Sequence, residues 1–274
     1  MLWTKRNQGA GDARRRRLSD PDRLARWVRG ALTVALLLPA AGMAQPIAST
    51  VPWVPTAPRV PHDIISGEAT TLKGAEYGPN YTATTYKWDF GDGDSTGFLA
   101  VGNAKVISAT HTYAGAPGSP FTATLTLCDA QSRCDSADYP VIIRADETQT
   151  RVNIAIDKGL WYLYQQAKAS GQIHAPGSYG ERMGSHAAAV NAFEAHGHRE
   201  NLAAGVSPYA LVVKAGMDYM LSNLDVRAAD GHDYNGNNRM IAVNSGQAVY
   251  ETGMVMDAII ASATGTPRMP TQGS

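Results

Sequence analysis

The stretch of sequence that decides the fold is Tyr86-Lys87-Trp88-Asp89-Phe90-Gly91-Asp92-Gly93-Asp94. Bulky apolar residues alternate with polar ones through this stretch, which is the period of a strand that buries one face. The alternation stops at Gly91-Asp92-Gly93-Asp94, where glycine permits a positive φ angle and aspartate hydrogen-bonds its own backbone. The sequence therefore predicts a half-buried strand, with Trp88 as a central core residue, followed by a sharp turn.

This motif resembles the signature of the PKD (polycystic-kidney-disease) domain, an immunoglobulin-like antiparallel β-sandwich. His111-Thr112-Tyr113 and the strand-like segment 121–127 follow in the order of that family, and the resemblance covers roughly residues 55 to 144. It implies that such a domain binds or spaces and rarely catalyses. It also implies the structural core residues of the motif, which are Tyr86, Trp88, Phe90, Gly91, Asp92, Gly93 and Tyr113.

The wider pattern of short apolar segments agrees with a sandwich. About seven short strands separated by turns within about 90 residues are typical of this architecture. The expected strands are Asp63–Ser66, Ala69–Glu76, Thr84–Phe90, Ala104–Thr110, Phe121–Cys128 and Cys134–Ile143.

The N-terminus is predicted to be a secretory signal peptide over residues 1–44. Seven arginines between Arg14 and Arg29 precede the apolar run Ala31–Leu38, and small residues lead to Ala44. This is the order of n-region, h-region and cleavage site in a signal peptide. The apolar run is shorter than the roughly 20 residues of a membrane-spanning helix, which favours cleavage over an uncleaved anchor. A basic nucleic-acid-binding arm is the other alternative, and the expected localisation is secreted or in the cell envelope.

The charge balance argues against nucleic acid as a partner. The chain has 24 basic and 24 acidic residues, but residues 1–44 hold nine of the basic and three of the acidic ones. The remainder therefore carries 15 basic and 21 acidic residues, a net charge of −6. Nucleic-acid binding requires clustered lysine and arginine. A membrane is expected as a partner only through an uncleaved signal segment.

The two cysteines are predicted to form a disulfide. Strand parity places Cys128 on the polar face of its strand, and after a short turn Cys134 returns on the same face. Exported proteins form disulfides, so the two thiols of one hairpin are expected to pair. Two unpaired surface thiols are the alternative.

Two linkers and a change of period divide the rest of the chain. Residues 45–58 are rich in proline and are expected to be an extended linker before the sandwich at 59–144. A polar linker at 145–151 follows, and beyond it the apolar period changes from 2 to 3.6. Residues 152–265 are therefore predicted to be an all-α domain, and 266–274 a tail.

The helical region is predicted to be a duplicated pair of helices. Gly159-Leu160-Trp161-Tyr162-Leu163 corresponds to Gly216-Met217-Asp218-Tyr219-Met220 at an offset of 57 residues. Repeated helix pairs pack as arrays in which each hairpin buries a face on the next. The segment is similar to the helical hairpins of the terpenoid-cyclase and prenyltransferase α/α toroids. A partial array, with an apolar face open at its C-terminal end, is one expectation, and a small four-helix bundle is the other.

The loop that begins at Asp230 is a candidate calcium site. Side-chain oxygens at Asp230, Asp233, Asn235 and Asn237 alternate along the chain, as in loops that wrap a hard cation. The full EF-hand pattern is missing, and asparagine and glycine are also ordinary turn formers. No other cofactor is expected. His186, His196 and His198 are a weaker metal hypothesis because the His-Glu-x-x-His spacing is absent.

No recognisable catalytic motif is present. The sequence contains no phosphate-binding glycine loop, and no catalytic residues are proposed. The prediction is a non-catalytic binding or spacer protein of the cell exterior, with a protein or a polysaccharide as partner. The alternative is the N-terminal portion of an exported α/α-toroid enzyme acting on a polysaccharide or an isoprenoid-like substrate.

Overall fold

The computed structural model describes residues 44–78, 81–103, 106–170, 179–229, 231, 236–243 and 248–262, with the backbone alone at 169–170 and 179–182. Eight strands come before residue 145. They are β1 (Ala48–Thr50), β2 (His62–Ile65), β3 (Ala69–Glu76), β4 (Ala83–Asp89), β5 (Leu99–Ala100), β6 (Ile107–Thr112), β7 (Pro120–Asp129) and β8 (Cys134–Arg144).

These strands form two sheets. One has the order β1-β3-β6 and is antiparallel, and the other has the order β2-β8-β7-β4-β5. In the second sheet β2 runs parallel to β8, with His62 opposite Val141, while the remaining pairs are antiparallel. The expectation of a purely antiparallel sandwich is therefore wrong at this edge. Parallel pairing requires a long connection between the two strands, and most of the sandwich lies between β2 and β8 in the sequence.

Trp88 lies where the two sheets meet. Its side chain is fully buried, together with Leu72 of β3 and Leu125 of β7. Gly74 on β3 leaves no room for a side chain, because a Cβ atom there would lie 2.6 Å from Leu125 Cδ2 and 3.1 Å from the Trp88 ring. Gly74 therefore allows the two sheets to pack tightly beside Trp88, which is buried as the alternation in β4 predicts.

The turn after β4 has the predicted geometry. Gly91 and Gly93 have φ angles of +78° and +106°. Asp89 Oδ1 accepts a hydrogen bond from the Gly91 amide, and Asp92 Oδ1 accepts one from the Asp94 amide, both at 3.1 Å. A Cβ atom on Gly91 would lie 2.2 Å from the Thr122 carbonyl oxygen, so this position requires glycine.

The predicted linker 45–58 contains the strand β1 and is partly buried. Ala48, Ser49 and Thr50 pair with Glu76, Ala75 and Gly74 of β3 and are all buried. Proline richness predicts an extended chain, and an extended chain is also what a sheet edge binds. Composition does not distinguish an extended linker from an edge strand, so β1 was not predicted within this segment.

Four helices follow the sandwich. They are α1 (Thr148–Ser170), α2 (Tyr179–Glu194), α3 (Tyr209–Ser222) and α4 (Ala248–Ala261). Helix α2 contacts each of the other three. The predicted linker 145–151 is shorter than expected, since α1 begins at Thr148. Residues 263–274, which include the predicted tail, lie outside the described residues.

The helical part also contains strands, so the all-α prediction was wrong. An antiparallel hairpin of β9 (Leu224–Ala228) and β10 (Arg239–Val243) separates α3 from α4. Leu224 lies within residues 152–265, which were predicted to be all-α, but it begins β9. Its neighbours Val226 and Ile241, which face each other in the hairpin, are β-branched residues that favour strands.

The sandwich and the helices share one hydrophobic core. A single cluster of buried residues extends from Ala48 in β1 to Ala258 in α4. The inner face of α1, formed by Leu160, Trp161 and Tyr164, is buried, whereas Val152 is exposed. The predicted linkers therefore do not separate two independently packed units among the described residues.

Candidate functional site

A buried ionic network joins the sandwich to the first helix. Asp157 of α1 accepts hydrogen bonds from Lys73 Nζ of β3 and faces His62 Nδ1 of β2 at 3.1 Å. The other ring nitrogen of His62 lies 2.8 Å from the carbonyl oxygen of Val51. The His62 ring stacks on Tyr139 of β8 with centroids 4.2 Å apart. All of these side chains are buried or nearly so, so the network is closed to a ligand.

The electrostatics of this network favour the ionised carboxylate. Burial alone would raise the pKa of Asp157, but the opposed charges and hydrogen bonds of His62 and Lys73 outweigh it and hold that pKa well below its usual range. Burial also lowers the pKa of Lys73, which Asp157 partly offsets. The network is a structural joint, and it uses up three groups that could otherwise serve as acid or base.

Two further contacts fix the same joint. The Arg59 guanidinium donates to the Asp138 carbonyl oxygen of β8 at 2.9 Å and to the Val206 carbonyl oxygen before α3 at 3.0 Å. Ser49 Oγ in β1 donates to the Gly205 carbonyl oxygen at 3.0 Å. Residues of the predicted linker 45–58 and its neighbour Arg59 therefore hold the helical part in place.

A concave surface lies between α1 and α2, and Ile156 of its lining is next to Asp157 in the sequence. We call it the α1–α2 groove, and its volume is about 460 Å³. It is open to solvent along one side. Its lining residues are Ile156, Gly159, Leu160, Tyr162, Leu163, Ala192, Ala195 and His196.

The α1–α2 groove is suited to binding rather than to chemistry. Only His196 and the Tyr162 hydroxyl bring titratable groups to its lining, and neither faces a second acid or base there. Tyr162 is 60% exposed, so its ring is free to cover an incoming apolar group. Trp53 packs against His196 with ring centroids 5.1 Å apart and so fixes the end of the groove. Concave apolar surfaces with a few polar groups are typical of ligand sites.

The end of α2 carries a second buried polar group. Glu194 is 5% exposed, and both its carboxylate oxygens lack a hydrogen-bond partner among the described residues. Burial, with the Glu200 carboxylate as the second cause, raises the pKa of Glu194 to about 7. Nearby, burial lowers the pKa of His198 to about 3, and its Nδ1 atom lies 3.1 Å from Ser207 Oγ.

The predicted motif residues come together around the turn after β4. Tyr113 is buried and donates a hydrogen bond from its hydroxyl to the Phe90 carbonyl oxygen at 3.0 Å. Phe90 is buried, Tyr86 is partly buried against the core, and Asp92 is exposed beside His111. These residues hold the turn, which agrees with a structural role for the motif.

The predicted disulfide is present. Cys128 and Cys134 are bonded and lie directly opposite each other in the register of β7 and β8. No free cysteine is found among the described residues. Strand parity placed Cys128 and Cys134 on the same face correctly, because both residues belong to one hairpin with a short turn.

The metal hypotheses have different outcomes. Asp230, Asp233 and Asn235 of the candidate calcium loop lie outside the described residues, and Asn237 is exposed and accepts a hydrogen bond from the Arg239 amide. The three histidines do not converge, since His186 stacks on Tyr219 while His198 faces Ser207. Within the described ranges, the group that brings metal-ligating atoms together is Asp92, Asp94 and His111.

Sequence reasoning missed the ionic joint. Asp157 lies in a predicted helix, Lys73 lies in a predicted strand, and His62 lies just before another predicted strand. Charged residues in such elements are usually exposed. One signal was available: Asp157 shares a helical face with Leu160, Trp161 and Tyr164, and a carboxylate on an apolar face requires a buried partner. Which partner it would find depends on tertiary packing.

No helix in the described part of the chain has both the length and the hydropathy needed to cross a membrane. The cleavage or retention of residues 1–43 stays a prediction, because those residues lie outside the description.

Comparisons with known proteins give limited information. No protein-family model matches the chain, and no curated protein matches it. Among solved structures, it is similar to the PKD domain of an M14-like peptidase from Thermoplasmatales archaeon SCGC AB-540-F20, at 14% identity over 37% of this chain and 98% of that one, with a TM-score of 0.30. The PKD1 domain of the metalloprotease PrtV from Vibrio cholerae is similar at 15% identity over 38% of this chain and 100% of that one, with a TM-score of 0.25.

A third neighbour is an AA10 lytic polysaccharide monooxygenase from Streptomyces lividans, at 8% identity over 34% of this chain and 65% of that one, with a TM-score of 0.25. TM-scores this low carry no argument about family or function. The nature of this chain therefore rests on its own residues: a β-sandwich part and a helical part that share one core.

Proposed function

We propose that this protein is an exported, non-catalytic binding protein in which a PKD-like sandwich carries a helical part that holds a protein partner in the α1–α2 groove. The observation that carries the proposal is the groove itself, an open apolar surface of about 460 Å³. Its lining has no pair of groups suited to acid-base or nucleophilic chemistry among the described residues.

The lining favours a protein over a polysaccharide. Sugars need a high density of hydrogen-bonding groups beside an aromatic face, whereas Ile156, Leu160 and Leu163 present aliphatic carbon. Apolar side chains of a peptide or a protein loop fill such a groove, with Tyr162 as an amphipathic contact at its edge. The disulfide and the arginine-rich, apolar N-terminus support the export part of the proposal.

The rigid joint supports a carrier role for the sandwich. Asp157, Arg59 and Ser49 fix the helices to the sheets through side chains that are far apart in sequence. A groove that is held in a fixed orientation loses little conformational entropy on binding. The PKD-like assignment itself rests on the motif around Trp88 and on the Tyr113–Phe90 hydrogen bond.

Two glycines allow a clean test of the groove. Gly159 lies in α1 on the groove lining, and Gly253 lies in α4 away from it; a Cβ atom at either position would meet nothing within 4 Å. Gly159→Leu fills the groove without a clash inside the helix. Gly253→Leu makes the same change outside the groove. Both variants are expected to keep or gain helix stability, since glycine in a helix interior costs about 0.5–1 kcal/mol.

The experiment selects peptides from a displayed library on the wild-type protein and screens the same protein on a glycan array. Apolar peptides that bind the wild type and the Gly253→Leu variant but not the Gly159→Leu variant support the proposal. If the wild type binds glycans and Gly159→Leu abolishes that binding, the partner in the groove is a polysaccharide and not a protein. Peptides that bind all three proteins equally would show that the groove is not the binding site.

A second candidate function is favoured by helix α4. Its outer face is apolar and exposed, with Val249 at 91% and Ile260 at 70% exposure, and Met256 lies between them. A further helical hairpin of an α/α array would cover such a face. On this second proposal the protein contributes to an α/α-toroid enzyme acting on a polysaccharide or an isoprenoid-like substrate. Turnover of either substrate class by the purified protein would establish it.

A further inference from the structure

The turn after β4 and the end of β6 bring together three side chains that no function described above uses. Asp92 and Asp94 belong to the turn, and His111 belongs to β6. One ligand atom from each lies within 4.8 Å of the other two. His111 Nε2 already lies 2.6 Å from Asp92 Oδ2. We propose that Asp92, Asp94 and His111 form a binding site for one divalent transition-metal ion of the zinc type.

The donor set selects the class of ion. An imidazole nitrogen with two carboxylates suits Zn²⁺ and its neighbours in the first transition row, whereas Ca²⁺ takes six to eight oxygen ligands. Bonds of about 2.0–2.2 Å place the ligand atoms of a tetrahedral ion about 3.3 Å apart. Small side-chain movements would bring the three ligand atoms to that spacing. Solvent can fill the remaining coordination position because Asp92 and Asp94 are exposed and His111 is partly exposed.

Contacts with neighbouring residues already hold the three proposed ligands in place before an ion binds. The His111 ring stacks on Phe90 with centroids 4.0 Å apart and planes 3° from parallel, and it meets the Tyr113 ring edge-on at 4.7 Å. Gly91 fits against the Thr122 backbone, and Tyr113 ties the turn through the Phe90 carbonyl oxygen. A site that is already ordered loses less free energy to ordering when the ion binds.

The charge distribution also favours a cation. Two carboxylates are held close together, and Asp94 has no hydrogen bond or ion pair to its carboxylate within the part of the chain that the structure describes. The imidazole of His111 pairs with Asp92. A divalent ion bound between the three residues removes the repulsion between Asp92 and Asp94.

The test is a calorimetric titration of the full chain, purified without a histidine tag and stripped with a chelator, against Zn²⁺. Binding of one ion per chain is expected. Asp94→Asn keeps the shape of an exposed side chain and is expected to weaken binding by at least about tenfold, the loss that even an outer-shell change can cause. His111→Gln is expected to remove binding. Asp225→Asn in β9 is the control and should bind as the wild type does.

A spectroscopic measurement separates a loss of ligand from a loss of fold. With Co²⁺ in place of Zn²⁺, the wild type should show a visible absorption band typical of a four- or five-coordinate ion. The Asp94→Asn variant should show a weaker band while its circular dichroism spectrum is unchanged. The proposal is overturned if the wild type shows no Zn²⁺ binding or if Asp94→Asn binds as tightly as the wild type. It is also overturned if Ca²⁺ binds more tightly than Zn²⁺ and the same variants remove it.

Discussion

His62 Nδ1 on β2 lies 3.1 Å from Asp157 Oδ2 on α1, and this contact joins residues that are 95 positions apart. Lys73 approaches the same oxygen atom from β3. One carboxylate therefore connects both sheets of the sandwich to the first helix. Several expected properties of the protein follow from this joint.

Replacing the central carboxylate should destabilise the whole protein. Asp157→Asn leaves the buried Lys73 ammonium without its counter-charge, and breaking a buried pair on one side costs about 3–5 kcal/mol. Urea denaturation followed by circular dichroism measures the loss. The double variant Asp157→Leu/Lys73→Met should recover most of it, since apolar replacement of a buried pair is often neutral. Asp218→Asn, which breaks the exposed pair with Lys214, is the control and should cost under about 1 kcal/mol.

The same joint predicts a loss of stability in acid. The pKa of Asp157 is lowered in the folded state, so its contribution is complete above the unfolded value of about 3.9 and is lost as the pH falls below it. The free energy of unfolding of the wild type should therefore fall between about pH 5 and pH 2 more steeply than that of the Asp157→Leu/Lys73→Met variant. Parallel pH profiles of the two proteins would contradict this.

Glu194 should give the free energy of unfolding the opposite pH dependence at higher pH. Its pKa is raised to about 7, so the folded state binds more protons than the unfolded state between about pH 4.5 and 7, and stability falls as the pH rises through that range. Glu194→Gln should be more stable than the wild type above pH 7, by at most about 3 kcal/mol, and equally stable at about pH 4. Glu147→Gln, an exposed change just before α1, should leave the profile unaltered. Equal stabilities of Glu194→Gln and wild type at high pH would be evidence against this account.

Trp88→Ala should unfold the helices as well as the sandwich. Truncation of a buried aromatic residue costs about 3–5 kcal/mol, and the sheets and helices share one core. The loss of helical signal at 222 nm and of near-ultraviolet signal should therefore coincide in one transition at a lower temperature. A surviving helical transition at the wild-type temperature would mean that the two parts fold independently.

The disulfide should contribute modestly. It closes a loop with a sequence separation of six residues, for which chain entropy gives about 2 kcal/mol. Cys128→Ser/Cys134→Ser should lower the free energy of unfolding by about that amount without changing the circular dichroism spectrum. The reduced wild type should match the variant, and a variant as stable as the oxidised wild type would contradict the expectation.

Local patterns in the sequence predicted much of the sandwich and little of the joint. The strands around Trp88 and Cys128 were predictable because alternation, turn glycines and parity all act within a few residues. The parallel pairing of β2 with β8, the strand β1 in the proline-rich segment and the hairpin β9–β10 depend on partners far along the chain. The α1–α2 groove could not be predicted for the same reason, since its lining combines residues 156–163 with residues 192–196.

The first strand has consequences for the order of assembly. Ser49 binds Gly205, 156 positions later, and Arg59 binds Val206, 147 positions later. A chain that emerges from the ribosome, or from a translocation channel, with its N-terminus first therefore presents β1 long before its last partners arrive. These contacts can form only after residues 205 and 206 have emerged, so β1 is without two of its hydrogen-bond partners for most of the synthesis of the chain.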